Sequence, residues 1–538
     1  MVKATSYVLM CVFICCSSIV ACSKSDSVSN VQSSDRNSDP SSQKEQSKSI
    51  SVAMSSLHEE TFLPWQGGGG RKFYLDTIYE YLTYLNPETH ELEPGLAESW
   101  SMSDSGKEWT LHIRKGIYFQ KEWGEFTAHD AKYSIERLID PTAKSGPSSS
   151  LRNVISEITV IDDYTLQITL QRPDIEFVYG YLSNAMQCMM VSKKYLEDNG
   201  DVIAGNNPIG TGAFGLESHK RGYSISISRS KNKNHWRVKN NTQGITFYSV
   251  PEEATRIAML IAGEVDLSPV NFDSLKALER KNIDVLFLKN SWSPIVRFGG
   301  LVNTSEKLSN LSVPWQDQRV RQALNYAVDK DTILKAIFHN QGRVAGTDFP
   351  AEIFFDIKPY PYDPEKAKRL LVEAGYPEGF PITLKTFTTT PGAELPIIAE
   401  IIGMYWQQVG LTVDVVPIDW ISHRSAQVNG KVNGIAWTHR GIAFPTPLVG
   451  LQASYTSNSV FSTFATEESE KMLVEIENSL ILEEREKRIR QFGEFIHDQA
   501  TGIFLLFSNE PYGVSDRVKH WPSLSQHVTN IDLIELKH

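Results

Sequence analysis

The sequence contains little that would cross-link the chain, carry it through a membrane or draw it to nucleic acid. Only five of its 538 residues are cysteine, and four of these lie within the first 22, so Cys188 is the one thiol of the remaining chain and no internal disulfide is expected there. No apolar run after the first 20 residues reaches the roughly 18 residues of a membrane-spanning helix. With 53 basic and 64 acidic residues, the net charge of −11 offers no basic footprint for nucleic acid.

Catalytic and metal-binding motifs are missing as well. The sequence has no Gly-x-Ser-x-Gly nucleophile elbow, and its 13 histidines lack the spacing of a zinc site. Nothing basic flanks Cys188, so a buried, unreactive thiol is expected there rather than a nucleophile. We therefore predict a protein that is not an enzyme and that carries no cofactor or metal.

The start of the chain has the features of an export signal. Lys3 precedes an apolar run over residues 7–16, which has the length of a signal-peptide core. Residues 19–22 resemble a bacterial lipobox, which predicts a signal peptide over 1–21 and lipidation of Cys22. The alternative is an uncleaved anchor or an ordinary signal peptide with incidental cysteines.

The segment that follows is too polar to fold by itself. Residues 23–50 hold 11 serines and no aromatic residue, so they cannot bury enough apolar surface to offset the entropy of ordering. We predict a flexible tether over 22–50 between the lipid anchor and a folded body.

The folded body has an α/β pattern. Residues 109–117 and 158–170 alternate like strands, the second as a hairpin that turns at residues 162–163. Asp363 and Pro364 begin a helix by their capping chemistry. A strand, a helix and a strand follow over residues 380–388, 394–409 and 411–418, which predicts a crossover between parallel strands.

Two predicted strand ends carry candidate binding residues. Asp419 and Trp420 follow the strand that ends at residue 418, and His439 and Arg440 follow the strand pattern of residues 434–438. Because ligands of open α/β sheets collect outside the carboxyl ends of the strands, these four residues are predicted to line a binding site.

Several short segments together resemble the solute-binding proteins of ABC importers, in the class of oligopeptide-, dipeptide- and nickel-binding proteins (extracellular solute-binding protein family 5). They occur in the family's order along nearly the whole chain after the tether. The segments are residues 93–100, 109–116, 126–130, 207–214, 234–236, 263–266, 303–304, 317–324 and 362–367.

This resemblance implies a two-lobed periplasmic-binding-protein (Venus-flytrap) fold. The first lobe would comprise residues 51–300 and 509–538, with an extra subdomain at about 79–207, and the second lobe residues 301–508. The chain would cross between the lobes near residues 299–300 and 507–508. The resemblance also implies a monomer on a bacterial membrane, facing the periplasm or the cell exterior, that closes around a peptide or small-molecule solute and docks on an ABC permease.

In such proteins the region of Trp65, Gln66 and Gly67 lines the pocket from the first lobe. Four consecutive glycines, residues 67–70, would let backbone N–H groups approach a ligand, with Trp65 as a stacking face. The alternative interpretation of this glycine run is a flexible surface loop.

The second lobe departs from its peptide-binding relatives. In these relatives an acidic residue shortly after a tryptophan comparable to Trp437 holds the α-amino group of the ligand, whereas Arg440 stands at this place here. An arginine offers a planar fork to an anionic or hydroxyl-rich group; alternatively, Arg440 pairs with a local carboxylate such as Asp419. Trp420 and Trp437 are predicted either to stack on the ligand or to fill the core.

The predicted function is that of a substrate-binding lipoprotein of an ABC importer, which captures a peptide-like or other small polar solute. A solute-sensing or surface lipoprotein with the same fold and no transport role is the alternative function. The residues do not decide between these two functions.

Overall fold

The fold is described from a computed structural model over residues 48–145, 148–230, 235–302, 312–387, 394–442, 446–457, 459, 462–523 and 528–537. The predicted signal peptide, Cys22 and nearly all of the tether lie outside the described residues, as do residues 234 and 303–304. The described residues form fifteen α-helices, numbered here in chain order: α1 Lys72–Ile78, α2 Ala128–Ile139, α3 Ser148–Val154, α4 Phe177–Leu182, α5 Lys193–Ala204, α6 Glu253–Ile261, α7 Leu275–Glu279, α8 Gln318–Tyr326, α9 Lys330–Phe338, α10 Pro364–Glu373, α11 Leu395–Gln408, α12 Trp420–Val428, α13 Pro447–Tyr455, α14 Glu467–Glu477 and α15 Leu482–Gln499.

Strands of the described residues fall into one large and several small sheets. In chain order they are β1 Ser49–Met54, β2 Thr83–Leu85, β3 Leu92–Pro94, β4 Ala97–Met102, β5 Glu108–Ile113, β6 Ile155–Asp162, β7 Thr165–Leu170, β8 Phe214–Lys220, β9 Ser224–Arg229, β10 Gly244–Ser249, β11 Leu267–Pro269, β12 Asp284–Phe298, β13 Leu301–Val302, β14 Gly342–Val344, β15 Pro381–Phe387, β16 Thr412–Ile418, β17 Ala436–Ile442, β18 Phe464–Ala465, β19 Gly502–Phe504, β20 Leu506–Val514, β21 Val518–His520 and β22 Glu535–Leu536.

Local sequence chemistry explains the elements that were predicted. The Asp363 side chain accepts a hydrogen bond from the Lys366 backbone N–H at 2.8 Å and caps α10, as Asp and Pro at these positions indicate. Strands β15 and β16 pair in parallel around α11, which confirms the predicted crossover. The predicted hairpin is the antiparallel pair of β6 and β7.

The large sheet runs through the whole folded body. Its strand order is β16-β15-β17-β12-β20-β11-β1-β10-β9-β8, while β4, β5, β7 and β6 form a separate four-stranded sheet. The 15-residue strand β12 pairs with β20 along its first part and with β17 along its last part. Strands β12 and β20 therefore lie in the middle of the sheet, between its two halves.

Two large hydrophobic clusters lie on either side of these central strands. The first cluster draws most of its members from residues 50–247 and 512–536, and the second most of its members from residues 272–506. Cys188 is wholly buried in the first cluster, and burial raises the pKa of its thiol to about 12. None of the described helices is both long enough and apolar enough to cross a membrane.

Candidate functional site

Three parallel strand ends meet at one edge of the large sheet. Strand β15 pairs in parallel with both β16 and β17, so all three run in the same direction. Their last residues are Phe387, Ile418 and Ile442. The sequence predicts a site at this edge, because loops that follow parallel strands form the binding crevice of α/β sheets. Strand β17 continues to Ile442, however, so His439 and Arg440 lie within the strand and not after its end as predicted.

An aromatic and histidine cluster occupies this edge and brings together three of the predicted residues. The ring centroids of Trp420 and His439 are 6.1 Å apart, and His423 lies 5.0 Å from Trp437. Phe387 contacts Trp420 at 4.9 Å and His423 at 5.1 Å. Sequence analysis missed Phe387 and His423, although the first ends a predicted strand and the second follows Trp420 by one helical turn on α12.

The two histidines of this cluster are held neutral by their surroundings. Burial, together with the nearby charges of Lys385 and Arg424, lowers the pKa of His423 to about 4. Burial, followed by the charge of Arg297, also lowers the pKa of His439 well below its usual value. Neither His423 Nε2 nor His439 Nδ1 has a hydrogen-bond partner among the described residues.

A second polar group lies beside the histidines and was not predicted. Arg297 on β12 donates a hydrogen bond to Thr463 Oγ1 at 3.0 Å and lies 3.5 Å from Asp348 Oδ2. The Tyr455 hydroxyl donates to the same carboxylate at 3.1 Å. Arg297 Nε, Asp348 Oδ1 and the hydroxyl of Thr347 have no partner among the described residues. The sequence feature that could have indicated this group is Arg297 itself, a single arginine among the apolar residues at the end of β12.

Arg440 lies on the opposite face of the sheet from Trp437 and His439. Side chains alternate along a strand, and Arg440 therefore reaches Glu510 on β20, with 3.1 Å between Nη2 and Oε1. Its guanidinium also lies 4.6 Å from the ring centre of Trp292. The expected pairing with a carboxylate occurs, but the partner is not Asp419.

Asp419 has a structural role at the start of α12. Its carboxylate accepts a hydrogen bond from the Ser422 backbone N–H at 2.8 Å, and this hydrogen bond is the main reason why its pKa lies below the usual value. Asp419 is thus an N-cap that positions Trp420 and His423 on the first turn of the helix.

The glycine-rich loop contributes to the first hydrophobic cluster, and the side chain of Arg71 fixes its backbone through hydrogen bonds. The buried guanidinium of Arg71 donates hydrogen bonds to the backbone carbonyls of Thr61, Leu63, Pro64 and Gly68. These hydrogen bonds do not fit the alternative of a flexible surface loop.

The three predicted residues of this loop have different surroundings. Trp65 is buried, with the Arg137 guanidinium 4.5 Å from its ring centre. Gln66 is half-buried, and its backbone N–H donates to the carbonyl of Leu63. At Gly67, a Cβ atom would lie 2.8 Å from Arg71 Nε, so the close approach requires glycine.

A chain of contacts links this loop to Arg440. Phe73, just after the loop, stacks on Tyr512 with ring centroids 6.3 Å apart. Tyr512 and Glu510 lie two residues apart on β20 and therefore share one face of the strand. Since Glu510 pairs with Arg440, the central strand β20 contacts predicted site elements from both halves of the molecule.

Six of the buried polar atoms without a hydrogen-bond partner among the described residues lie on or near β12, β17 and β20. Folded proteins leave few such atoms, and each one calls for a solute, a water or another explanation. A cavity of about 330 Å³ is lined by residues of α12, among them Trp420 and Arg424. Within the described ranges, no three His, Cys, Asp or Glu side chains are grouped to hold a metal ion. The atoms without a partner are Arg297 Nε, Thr347 Oγ1, Asp348 Oδ1, His423 Nε2, His439 Nδ1 and Glu510 Oε2.

Comparison with solved structures defines the fold. The ABC transporter-associated periplasmic binding protein DppA from Helicobacter pylori, solved in complex with the peptide STSA, superposes with a TM-score of 0.76 at 24% sequence identity. The match covers 92% of this chain and 100% of that chain. The fold is that of a two-lobed periplasmic binding protein, which confirms the predicted α/β fold class.

The family follows from the sequence. The family of bacterial extracellular solute-binding proteins, family 5 (middle region), matches residues 91–462, and the chain belongs to this family. Its members are periplasmic or extracellular proteins that bind solutes and do not catalyse reactions, so the prediction that this chain is not an enzyme is confirmed.

Two curated relatives cover most of the chain. Heme-binding protein A of Haemophilus influenzae is 29% identical over 471 residues, which span 82% of this chain and 84% of that protein. The dipeptide-binding protein of Escherichia coli is 28% identical over 497 residues, or 85% and 89% of the two chains. Relatives with the same scaffold thus carry names of chemically different solutes.

Proposed function

We propose that this protein is the substrate-binding lipoprotein of an ABC importer, exported and anchored through Cys22, which captures a small polar solute and delivers it to a membrane permease. The observation that carries the proposal is the group of buried, partnerless polar atoms on and around β12, β17 and β20, which includes His439 and His423 of the aromatic and histidine cluster. Bound solute groups would satisfy these atoms, because an unsatisfied buried donor or acceptor costs about 1–3 kcal/mol.

The solute would lie between two lobes. Trp420, Trp437 and His439 would face it from the second lobe, and the loop of Trp65, Gln66 and Gly67 from the first. Support for a hinge comes from β12, where the register with β20 shifts between Leu288 and Trp292. We place the first crossing at this irregularity, earlier in the chain than residues 299–300.

The charges at the site favour a neutral or zwitterionic solute. Glu510 already compensates the charge of Arg440. Glu394 is also near Arg440: burial raises the pKa of Glu394, and the positive charge of Arg440 opposes this increase. Glu510 also keeps one carboxylate oxygen available as an acceptor. A peptide-like solute, which carries donors and acceptors in equal measure, fits this arrangement. Because Arg440 lies on the other face of β17 from Trp437 and His439, it would contact an anionic or hydroxyl-bearing part of the solute that extends around the end of the strand.

Thermal unfolding of the full chain against short peptides, opine-like acids, oligosaccharides and metal chelates tests the proposal. A solute that binds only the folded state raises the melting temperature, since saturation at 100 times Kd adds about 2.7 kcal/mol. The solute found in this way should bind the Arg440→Ala variant roughly tenfold more weakly, because a charge-assisted hydrogen bond is lost. Unchanged affinity of this variant would refute the role of Arg440.

The transport step needs a separate experiment. The protein and the permease and ATPase encoded beside its gene, reconstituted in vesicles, should accumulate the identified solute inside. Solute binding without accumulation would favour the sensing lipoprotein instead.

A further inference from the structure

The two hydrophobic clusters touch at a second place besides the central strands. The segment of residues 172–182, which follows β7 and contains α4, belongs to the first cluster through Phe177 and Tyr181. It packs on α13, α14 and α15, whose core residues, including Leu473 and Phe492, belong mainly to the second cluster. This contact joins parts of the chain about 300 residues apart.

A buried arginine forms the centre of this contact. Arg485 on α15 is wholly buried, and its Nη2 donates to Asp174 Oδ1 at 2.6 Å while its Nε donates to Glu176 Oε2 at 2.9 Å. Burial raises the pKa of both Asp174 and Glu176, and the charge of Arg485 opposes this shift. The two carboxylates of one segment therefore depend on a single cation from the other.

An ion pair and two hydrogen bonds of neutral side chains extend the contact. Arg172 donates to the buried carboxylate of Glu477 at 2.8 Å, and Gln452 donates to the other oxygen of this carboxylate at 2.8 Å. The Tyr181 hydroxyl reaches Gln452 Oε1 at 3.5 Å. Polar groups from both segments thus match one another across the contact.

Two glycines lie where the segments pack against each other, and one of them has a positive φ that favours glycine. A Cβ atom on Gly106, which has a φ of +69°, would lie 2.6 Å from the Leu480 side chain. A Cβ atom on Gly180 would lie 3.4 Å from Thr446. This fit, together with the buried ions, describes a built interface rather than a chance contact.

We propose that Arg485 is a positioning residue that latches the two lobes together at this second contact, by compensating Asp174 and Glu176 only in the closed arrangement. The inference rests on the proposed function, since it takes the two clusters as the lobes of a clamshell. When the lobes open, water hydrates all three charges. The ion pairs of Arg485 therefore add little net stability to the closed form, and instead fix how the two lobes align when they close. Substituting Arg485 alone leaves two uncompensated carboxylates in the closed form and shifts the population to the open form.

Hydrogen–deuterium exchange and small-angle scattering of the full chain without added solute test the latch. Arg485→Met should accelerate amide exchange in residues 172–182 and 446–455 roughly tenfold and increase the radius of gyration, because the open form gains population. The control is Arg488→Met on the same helix, since Arg488 pairs with Glu475 and Glu484 within the second cluster's own helices. It should leave both measurements unchanged.

A triple variant separates a latch from a merely structural residue. Arg485→Met with Asp174→Asn and Glu176→Gln removes the uncompensated charge and should restore slow exchange and the smaller radius of gyration. Failure of this rescue, or equal behaviour of the Arg485 and Arg488 variants, would overturn the latch.

Arg172→Met serves if Arg485→Met does not fold, because it replaces a largely exposed side chain. This variant should still raise amide exchange in the same two segments, and unchanged exchange there would overturn the latch as well.

These measurements need no solute. The latch therefore stands or fails independently of the solute screen that tests the proposed function.

Discussion

Two buried cations in this protein differ in how completely their polar atoms are hydrogen-bonded. Lys72, in the first hydrophobic cluster, donates to Asp76, to the Tyr81 hydroxyl and to two backbone carbonyls at 2.5–3.3 Å. Arg297 also lies in an interior site, yet its Nε and Asp348 Oδ1 have no partner. The fully hydrogen-bonded Lys72 stabilises the scaffold, whereas the partly hydrogen-bonded pair of Arg297 and Asp348 marks the place where a solute is expected to bind.

Removing Lys72 should have the largest effect on stability. Lys72→Met leaves Asp76 buried without its counter-ion, which typically costs 3–5 kcal/mol of unfolding free energy. Denaturant unfolding measures this loss. Lys193→Met is the matched control, because Lys193 pairs with Glu197 at the surface, and its cost should stay within about 0.5 kcal/mol. A loss below about 1 kcal/mol for Lys72→Met would contradict a scaffold role.

Acid should destabilise the protein through His423. The folded-state pKa of about 4 lies below the unfolded value of 6.5, so the unfolded chain takes up the proton first as the pH falls. Stability is therefore full above pH 6.5 and decreases by about 1–3 kcal/mol as the pH falls towards 4. His423→Phe should show a smaller loss over this range in melting experiments at several pH values. Equal pH profiles for both proteins would contradict the assignment.

The Arg297 pair should matter less for stability than for binding. Arg297→Met combined with Asp348→Leu removes both charges together, and such apolar replacements are often neutral or stabilising. We expect a change in unfolding free energy within about 1.5 kcal/mol and a loss of solute binding. A destabilisation as large as that of Lys72→Met would remove the distinction between the two buried sites.

Sequence reasoning succeeded where the determinants are local. The cap of α10 by Asp363 and the glycine run before α1 are read directly from neighbouring residues. The two-lobed fold class followed from the resemblance of several short segments, in a fixed order, to a known family.

The site was harder to predict because its contacts are distant in sequence. Arg297 and Asp348 lie 51 residues apart, and Arg440 and Glu510 lie 70 residues apart. His439 and Arg440 were predicted together as neighbours, but the two-residue period of a strand places their side chains on opposite faces. Only the sheet register resolves which of them joins Trp420.

Calorimetric titration of the solute identified by the screen tests the central claim most directly. The solute should bind the wild-type protein and should fail to bind the folded Arg297→Met, Asp348→Leu variant, because its polar groups would no longer find their partners beside β12. Binding of equal affinity to both proteins would contradict the assignment of the solute site to this edge of the sheet.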